Sequence, residues 1–419
     1  MSKSKKKQNS ILFLLTQDVE SPSGLGRYLP IAKNLLHQGY IVHIAALHPN
    51  FKSLEEKEII SSGVPVEYVS QMHIKKMGNS TQYYKGVNLL IVSFIATIKL
   101  FLYTINNPAN VIIIGKPHPM NTIAGILASL FVKAKTVLDC DDYEAASNFF
   151  SSPWQRKVIQ CFEDLAPKLV GQITTNTLFT KERIIRLGVN SDKIHYLPNG
   201  IDEERFNKVE SKKTQILRKT LGLDDLLTIV YIGSLNLDNH PVDLLLRAFQ
   251  LVNREIPKTR LIIVGGGKDF NNLKHLSIRL SIDKVTHFIG RVSPEKVPEY
   301  YSIANVTVDP VNDNDSAKGR CPLKMFESWA MNVPFVSSSV GDREVLSGSP
   351  AAALLGDPGN VEDLAQNLLQ LLIDPKLRSF LIKNGKKKVQ NYLWKEIVLN
   401  NHEYFIQPNL PLNNRDNIN

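Results

Sequence analysis

Short apolar runs punctuate the chain: ILFLL (11–15), YIVHIAAL (40–47), VIIIG (111–115) and KTVLDC (135–140) in the first half, LTIVYIG (227–233), RLIIVGG (260–266), VTHFIG (285–290) and NVTVDP (305–310) in the second. Runs this short and this rich in β-branched residues predict strands, and their near-continuous apolar character fits parallel sheets covered by helices on both faces. Between the first two runs, Leu25, Tyr28, Leu29, Ala32, Leu35 and Leu36 recur at the three-and-four spacing of an amphipathic helix, with Gly39 as its stop. The same alternation in both halves predicts an α/β chain of two doubly wound domains. Length agrees, because 419 residues exceed the roughly 250–300 that one core accommodates.

The turn signal Pro198-Asn199-Gly200 and the charged stretch after it, poor in strand formers, place the boundary. The expected organisation is a basic tail at 1–9, a first domain at 10–202, a linker at 203–225, a second domain at 226–390, a C-terminal helix at 391–408 packing back on the first domain, and a frayed tail at 409–419. One run breaks the pattern. Val87 to Ile105 is almost continuously apolar but contains Asn88 and Lys99, and it falls near the ~20 residues a spanning helix needs. It is read as a buried helix of the α/β domain, with a helix lying on a bilayer as the alternative.

Composition is that of an ordinary globular protein, 43% hydrophobic and 21% charged. The net charge of +10 suits an anionic partner such as a nucleotide sugar, a phospholipid surface or a polyanion. No basic stripe with interleaved aromatic residues is present, so nucleic acid is not expected. Cys140, Cys161 and Cys321 are odd in number and lack metal-ligand spacing, which favours a reducing compartment: the cytoplasm, or the inner face of the membrane. The basic tail before ILFLL resembles a signal peptide only briefly, because Thr16, Gln17 and Asp18 end the apolar run.

Ligands of doubly wound sheets sit outside the C-terminal ends of the strands, and two such domains facing each other would form a cleft there. In the second half those ends carry Gly233, Ser234 and His240, then Gly265 and Gly266, then Arg291, then the loop VNDNDSAKGRCPLK (311–324). This loop gathers Lys318, Arg320 and Lys324 around a helix start whose first turn Pro322 and Leu323 would form, a suitable place for a diphosphate. Lys324 and Glu327 share that helix. An ion pair at this spacing contributes about 0.2–0.5 kcal/mol, less than burying either charge costs, so Lys324 is assigned to phosphate and Glu327 to the hydroxyls of a sugar.

In the first half, Gly24 and Gly26 either let a ligand approach the start of the first helix or form a plain tight turn. Asp139, Asp141, Asp142 and Glu144 follow a strand, as a base or an orienting group for an acceptor, or as a capping cluster for the next helix. His118 follows another strand and is either structural or a further cleft residue.

Four stretches in order, VYIGSLNLDNHPVDLLLRAF, RLIIVGGGKD, THFIGRVSPEKVPEYYSIANVTVDP and GRCPLKMFESWAMNVPFVSSSVG, resemble the nucleotide-sugar domain of retaining glycosyltransferases of family four. Upstream, GQITTNTLFTKERIIRLGVNSDKIHYLPNGID and SGLGRY are similar to the family's approach to its linker and its N-terminal Gly-rich loop. The resemblance implies the GT-B fold of two Rossmann-like domains and transfer of a sugar from a nucleoside diphosphate sugar to a hydroxyl acceptor with retention. The acceptor would be a glycan, a lipid-linked glycan or a small molecule; a peripheral contact with an anionic membrane is expected separately, from the basic excess and the apolar run Val87 to Ile105. The resemblance implies no cofactor and no metal, since helix dipoles and cations neutralise the leaving diphosphate, and it gives Glu327 the donor's ribose. By register Asp141 takes the place of a family histidine. The first glutamate of the family's pair falls on Gly319, and its usual arginine on Ser234; Pro322, Lys324 and Glu327 match a subgroup with a Pro-x-Lys-x-x-Glu pattern. Those departures suggest one rival, a binding or scaffold protein that kept the fold and lost catalysis; a sugar-nucleotide epimerase or phosphorylase on the same fold is a further alternative.

Overall fold

The computed structural model describes residues 9–77, 80–148, 150, 152–206 and 209–406; the tail expected at 1–9, apart from residue 9, and the one expected at 409–419 lie outside them. Contacts divide the chain into two units, residues up to 75, 82–197 and from 397 in the first, and 76–81 and 198–396 in the second. The stretch 203–225, read as a linker, contains the helix Ser211–Thr220.

The first unit contains β1 (Ser10–Leu15), β2 (Ile41–His48), β3 (Glu58–Ser61), β4 (Val64–Gln71), β7 (Val111–Gly115), β8 (Lys135–Cys140), β9 (Gln172–Thr175) and β10 (Ile194–Tyr196) in one sheet; β5 (Ile74–Met77) and β6 (Ser80–Tyr83) form a separate two-stranded ribbon at the 75/76 and 81/82 divisions. The order is β10-β9-β8-β7-β1-β2-β4-β3, parallel except for the antiparallel β3–β4 edge. The second unit pairs β11 (Leu227–Ile232), β12 (Thr259–Val264), β13 (Thr286–Gly290), β14 (Val306–Asp309), β15 (Phe335–Ser338) and β16 (Leu354–Gly356) in the all-parallel order β13-β12-β11-β14-β15-β16. In each sheet the strand order reverses once, between β1 and β7 and between β11 and β14. Such reversals open a crevice at the C-terminal strand ends, where ligands of these folds bind.

The helix expected after β1 is Leu29–His37, preceded by a π-turn at Gly24–Tyr28. A Cβ on Gly24 would lie 2.5 Å from the Val19 carbonyl oxygen, so close approach of chain to chain accounts for this glycine, favouring the tight-turn reading. The C-terminal helix is Trp394–Asn401.

The helix over the long apolar run, Gly86–Asn106, is not the buried helix expected. Ala96, Leu100 and Thr104 are its buried residues, while Val87, Leu90, Phe94 and Leu102 are exposed. Helical periodicity shows which residues share a face but not how much of the circumference the fold covers. By contrast the helix Leu323–Ala330 is backed as its sequence predicts, with Met325, Phe326 and Trp329 in one core with Phe335 and Ala352.

Candidate functional site

In the second unit the reversal point is built around Asp309, the last residue of β14. Its buried carboxylate accepts from Lys324 Nζ on Oδ1 at 2.7 Å and from Arg343 Nη2 on Oδ2 at 3.2 Å. Burial alone would raise its pKa, but Lys324, Arg343 and Arg320 hold it well below the usual carboxylate range. Burial in turn pulls the Lys324 ammonium below its ordinary value, an effect that Asp309 offsets in part. Gly233, directly after β11, makes room: a Cβ there would sit 2.7 Å from Lys324 Cε and 2.9 Å from Tyr231 Oη, which itself donates to the Ser234 carbonyl at 2.8 Å. Gly265, at φ +142°, leans so closely on Gly233 that any side chain would strike its carbonyl, and Gly266 lies against Arg291.

Arg320 Nη2 donates to the Asn239 carbonyl at 2.9 Å, and its Nη1 lies 3.3 Å from His240 Nε2. A guanidinium only donates, so Nε2 accepts and the ring proton is assigned to Nδ1. That nitrogen is buried and has no hydrogen-bond partner among the described residues. Burial, then the charges of Lys324 and Arg320, push His240 well below its ordinary pKa, so the ring is neutral. Lys324, Arg320 and the His240 Nδ1–H thus bring donors together at one reversal point.

Two expectations need correction. Lys318 takes no part in the cluster, because Asp313 binds it at 2.8 Å on the surface. Pro322 is the N-cap of Leu323–Ala330 instead of its first turn, and the Leu323 N–H is already donated to the Cys321 carbonyl at 3.0 Å, which removes one of the helix-start donors expected for a phosphate. Lys324 and Glu327 have separate partners, in line with the weakness of their own pairing: Lys324 meets Asp309, while Glu327 Oε2 accepts from Tyr301 Oη at 2.6 Å, which orients the carboxylate.

In the first unit Lys116 follows β7 with φ +67°, a left-handed conformation that costs a lysine on the order of 1 kcal/mol. Its Nζ lies 2.7 Å from Glu144 Oε1, 3.0 Å from Asp142 Oδ2 and 3.6 Å from Asp141 Oδ2. Burial would lower its pKa, but Asp142, Glu144 and Asp141 hold it well above the ordinary lysine value. His118 Nε2 is 3.2 Å from Glu144 Oε2; burial would raise the Glu144 pKa, but Lys116 and His118 bring it well below the usual range. Asp141 accepts from Asn176 Nδ2 at 3.1 Å and is raised to about 6, by burial and then by Asp142. Asp142 is the most open of the four carboxylates, its side chain 24% exposed. Asn121 braces this end of the sheet, its Nδ2 donating to the Leu14, Gly115 and Lys116 carbonyls.

Asp139 does not present itself to an acceptor, as the sequence suggested. It is 1% exposed, holds Arg27 through two bonds of 2.7 and 2.6 Å, and accepts from Thr174 Oγ1 at 2.6 Å. Nor do the carboxylates cap the helix Glu144–Ser147: its N-cap, Tyr143, makes no side-chain cap bond. Glu163, from the following helix, accepts the Glu144 and Ala145 N–H groups at 2.7 and 3.0 Å. Burial and then Glu144 raise Glu163 to about 8.

Sequence reasoning missed Asp309, Arg343, Tyr301, Lys116 and Arg27. Asp309 carried a usable signal, an acidic residue ending a buried parallel strand. Arg27 stood inside SGLGRY and Lys116 directly after VIIIG, neither with periodicity to mark it, and Arg343 acquires its role only by burial.

Residues 213–388 match the family model described as "Glycosyl transferases group 1". The chain is 25% identical over 232 residues to the GDP-mannose-dependent alpha-(1-6)-phosphatidylinositol monomannoside mannosyltransferase of Mycolicibacterium smegmatis, covering 53% of this chain and 59% of the relative. It is 25% identical over 235 residues to D-inositol 3-phosphate glycosyltransferase of Saccharomonospora viridis, covering 54% and 52%. The chain therefore spans between half and three-fifths of the length of these curated relatives. Among solved structures, sucrose-phosphate synthase of Thermosynechococcus elongatus superposes with a TM-score of 0.76 at 17% identity, over 96% of this chain and 99% of that one. Anabaena HepE in complex with UDP-glucose gives 0.71 at 16% identity, over 95% and 98%. The chain thus has the GT-B fold of two Rossmann-like parallel-sheet units, and within it residues 213–388 match the group 1 glycosyltransferases.

Proposed function

We propose that this protein is a glycosyltransferase that moves a sugar from a nucleoside diphosphate sugar to a hydroxyl of a glycan, lipid-linked or small-molecule acceptor, with retention of anomeric configuration. The observation that carries this reading is the convergence of Lys324, Arg320 and the unpartnered His240 Nδ1 on the reversal point of the second sheet. Cationic and N–H donors at that place match the oxygens of a diphosphate. The matched region of group 1 glycosyltransferases covers all three residues, and relatives named as mannosyl- and inositol phosphate glycosyltransferases support the donor class.

In this reading Glu327, oriented by Tyr301, accepts from the donor's ribose hydroxyls. As the bond from the anomeric carbon to the diphosphate oxygen breaks, negative charge grows on the leaving group. Lys324 and Arg320 stabilise it without reorganising, because Asp309 and the Asn239 carbonyl already hold them in place. The acceptor oxygen forms the new bond to that carbon and loses its proton. On the acceptor side, Asp142 is assigned to accept from the incoming hydroxyl, with Asp141 and Glu144 fixing Lys116 behind it. Neutralisation by side chains is sufficient in this scheme, and no cofactor is invoked.

A thermal-shift screen of nucleoside diphosphate sugars tests the proposal, since a donor present at a hundred times its Kd adds about 2.7 kcal/mol. Product analysis by NMR then reads the anomeric configuration. Stabilisation by none of the donors would overturn the reading; binding without transfer to any acceptor would support the scaffold alternative, and conversion of the donor alone would support an epimerase.

A further inference from the structure

Three helices of the first unit, Gly86–Asn106, Pro119–Val132 and Pro153–Leu169, cover the same face of the eight-stranded sheet. Ala96 and Leu100 from the first, Met120 and Ala124 from the second and Ala166 from the third share one core with Ile112, Ile114 and Leu138 of the sheet. The outward sides of the first two are apolar as well, and that of the third mixes apolar residues with Arg156, Lys157, Asp164 and Lys168. On the first helix Val87, Leu90, Ile91, Phe94, Ile98 and Leu102 fall on one stripe at three-and-four spacing, with Val87 70% and Phe94 66% exposed. On the second, Leu127, Leu130 and Phe131 are exposed, and Phe101 meets Phe131 edge to face at 5.8 Å, joining the two stripes. The third adds Trp154, Val158, Leu165 and Leu169. Soluble monomers rarely expose a continuous apolar surface this broad, and such surfaces mark interaction sites.

Charge selects the occupant. Neither of the first two helices contains an Asp or Glu, while Lys99 stands among their apolar residues and Lys85 and Lys133 flank them; Lys157 and Lys168 lie exposed on the third. We propose that this face seats the protein on a bilayer surface rich in anionic lipid, with the three helices in the plane of the interface. Apolar side chains would enter the acyl boundary while the lysines meet phosphate headgroups. A second copy of this chain is a poorer occupant, because two such faces would bury Lys99 against apolar residues with no acid on either helix to pair with it. Gly86–Asn106 is long and apolar enough to cross a membrane, but its inward stripe of Ala96, Leu100 and Thr104 belongs to the protein core, so the helix lies on the bilayer instead of spanning it.

Trp154 supplies the probe: it is 43% exposed, whereas Trp329 and Trp394 are each 2% exposed. The full chain is mixed with vesicles of phosphatidylcholine alone or with added phosphatidylglycerol, and flotation and Trp154 emission are recorded. The expected result is flotation that rises with phosphatidylglycerol and falls with salt, a blue shift, and quenching by brominated phosphatidylcholine. Phe94→Glu with Leu130→Glu should lower partitioning at least tenfold. Lys99→Gln with Lys157→Gln, both at exposed positions where folding is not at stake, should reduce the preference for phosphatidylglycerol severalfold. Failure to float with either vesicle, Trp154 emission unmoved by lipid, or equal partitioning of the lysine variant would overturn the proposal. So would a stable dimer in vesicle-free buffer that shields Trp154 from acrylamide, which would give the face to a second copy.

Discussion

Replacing Asp139 by alanine separates a structural carboxylate from one that meets substrate. Arg27 and Asp139 form a buried pair with side chains 1% and 2% exposed. Removing Asp139 takes away both of its bonds to Arg27, which keeps the Leu197 carbonyl at 3.1 Å and the Asp141 carboxylate at 4.0 Å, and leaves Thr174 Oγ1 without that acceptor. Breaking one side of a buried ion pair costs about 3–5 kcal/mol, because the remaining charge stays out of water without its closest partner, and Asp141 at 4.0 Å from Arg27 Nε offsets only part of that. For a unit of this size that corresponds to a fall in Tm of roughly 6–20 °C. The two units need not unfold together, so hydrogen exchange of peptides covering β7 and β8 is the appropriate readout alongside calorimetry. Asp142→Ala should cost less than about 1 kcal/mol, since Asp142 is partly open and Lys116 keeps Glu144. The double variant Arg27→Met, Asp139→Leu should recover most of the loss. Asp139→Ala within about 1 kcal/mol of the unaltered chain would refute the assignment of Asp139 to the fold.

On the donor side, Lys324→Ala should weaken nucleoside diphosphate sugar binding at least thirtyfold, about 2 kcal/mol, by calorimetric titration, and Lys324→Arg should not rescue it because Gly233 and Tyr231 leave no space for the larger head. Gly233→Ala should weaken the same binding about tenfold, since its Cβ would press on Lys324 Cε at 2.7 Å; an unchanged Kd would mean that Lys324 moves freely. Glu327→Gln should raise the donor Kd about tenfold, and an unchanged value would remove its ribose role. Glu163 has a folded pKa of about 8 against an ordinary 4.5, so its contribution to stability is fully present below pH ~4.5 and is lost as pH rises through about 8. The difference in Tm between the unaltered chain and Glu163→Gln should therefore shift steadily in favour of the glutamine over that window, and a difference independent of pH would count against a protonated Glu163.

Much of this molecule was legible in the order of its residues. Runs such as VIIIG and LTIVYIG, short, β-branched and apolar on both faces, fit strands of covered parallel sheets, and the segment from Cys321 to Val336 announces a backed helix because Phe326 and Trp329 repeat at helical spacing. Lys324 and Glu327 were separable on energy alone, since their own pairing is too weak to offset burial. What the sequence did not determine is which charges neutralise one another. Asp309 meets Lys324 and Arg343, and Arg27 meets Asp139 across 112 positions, because strand reversal brings distant segments together, and pair energies depend on distance in space while sequence patterns encode only local spacing. Exposure of Gly86–Asn106 was undecided for the same reason: periodicity ranks the sides of a helix, and only the packed sheet decides how many of those sides are covered.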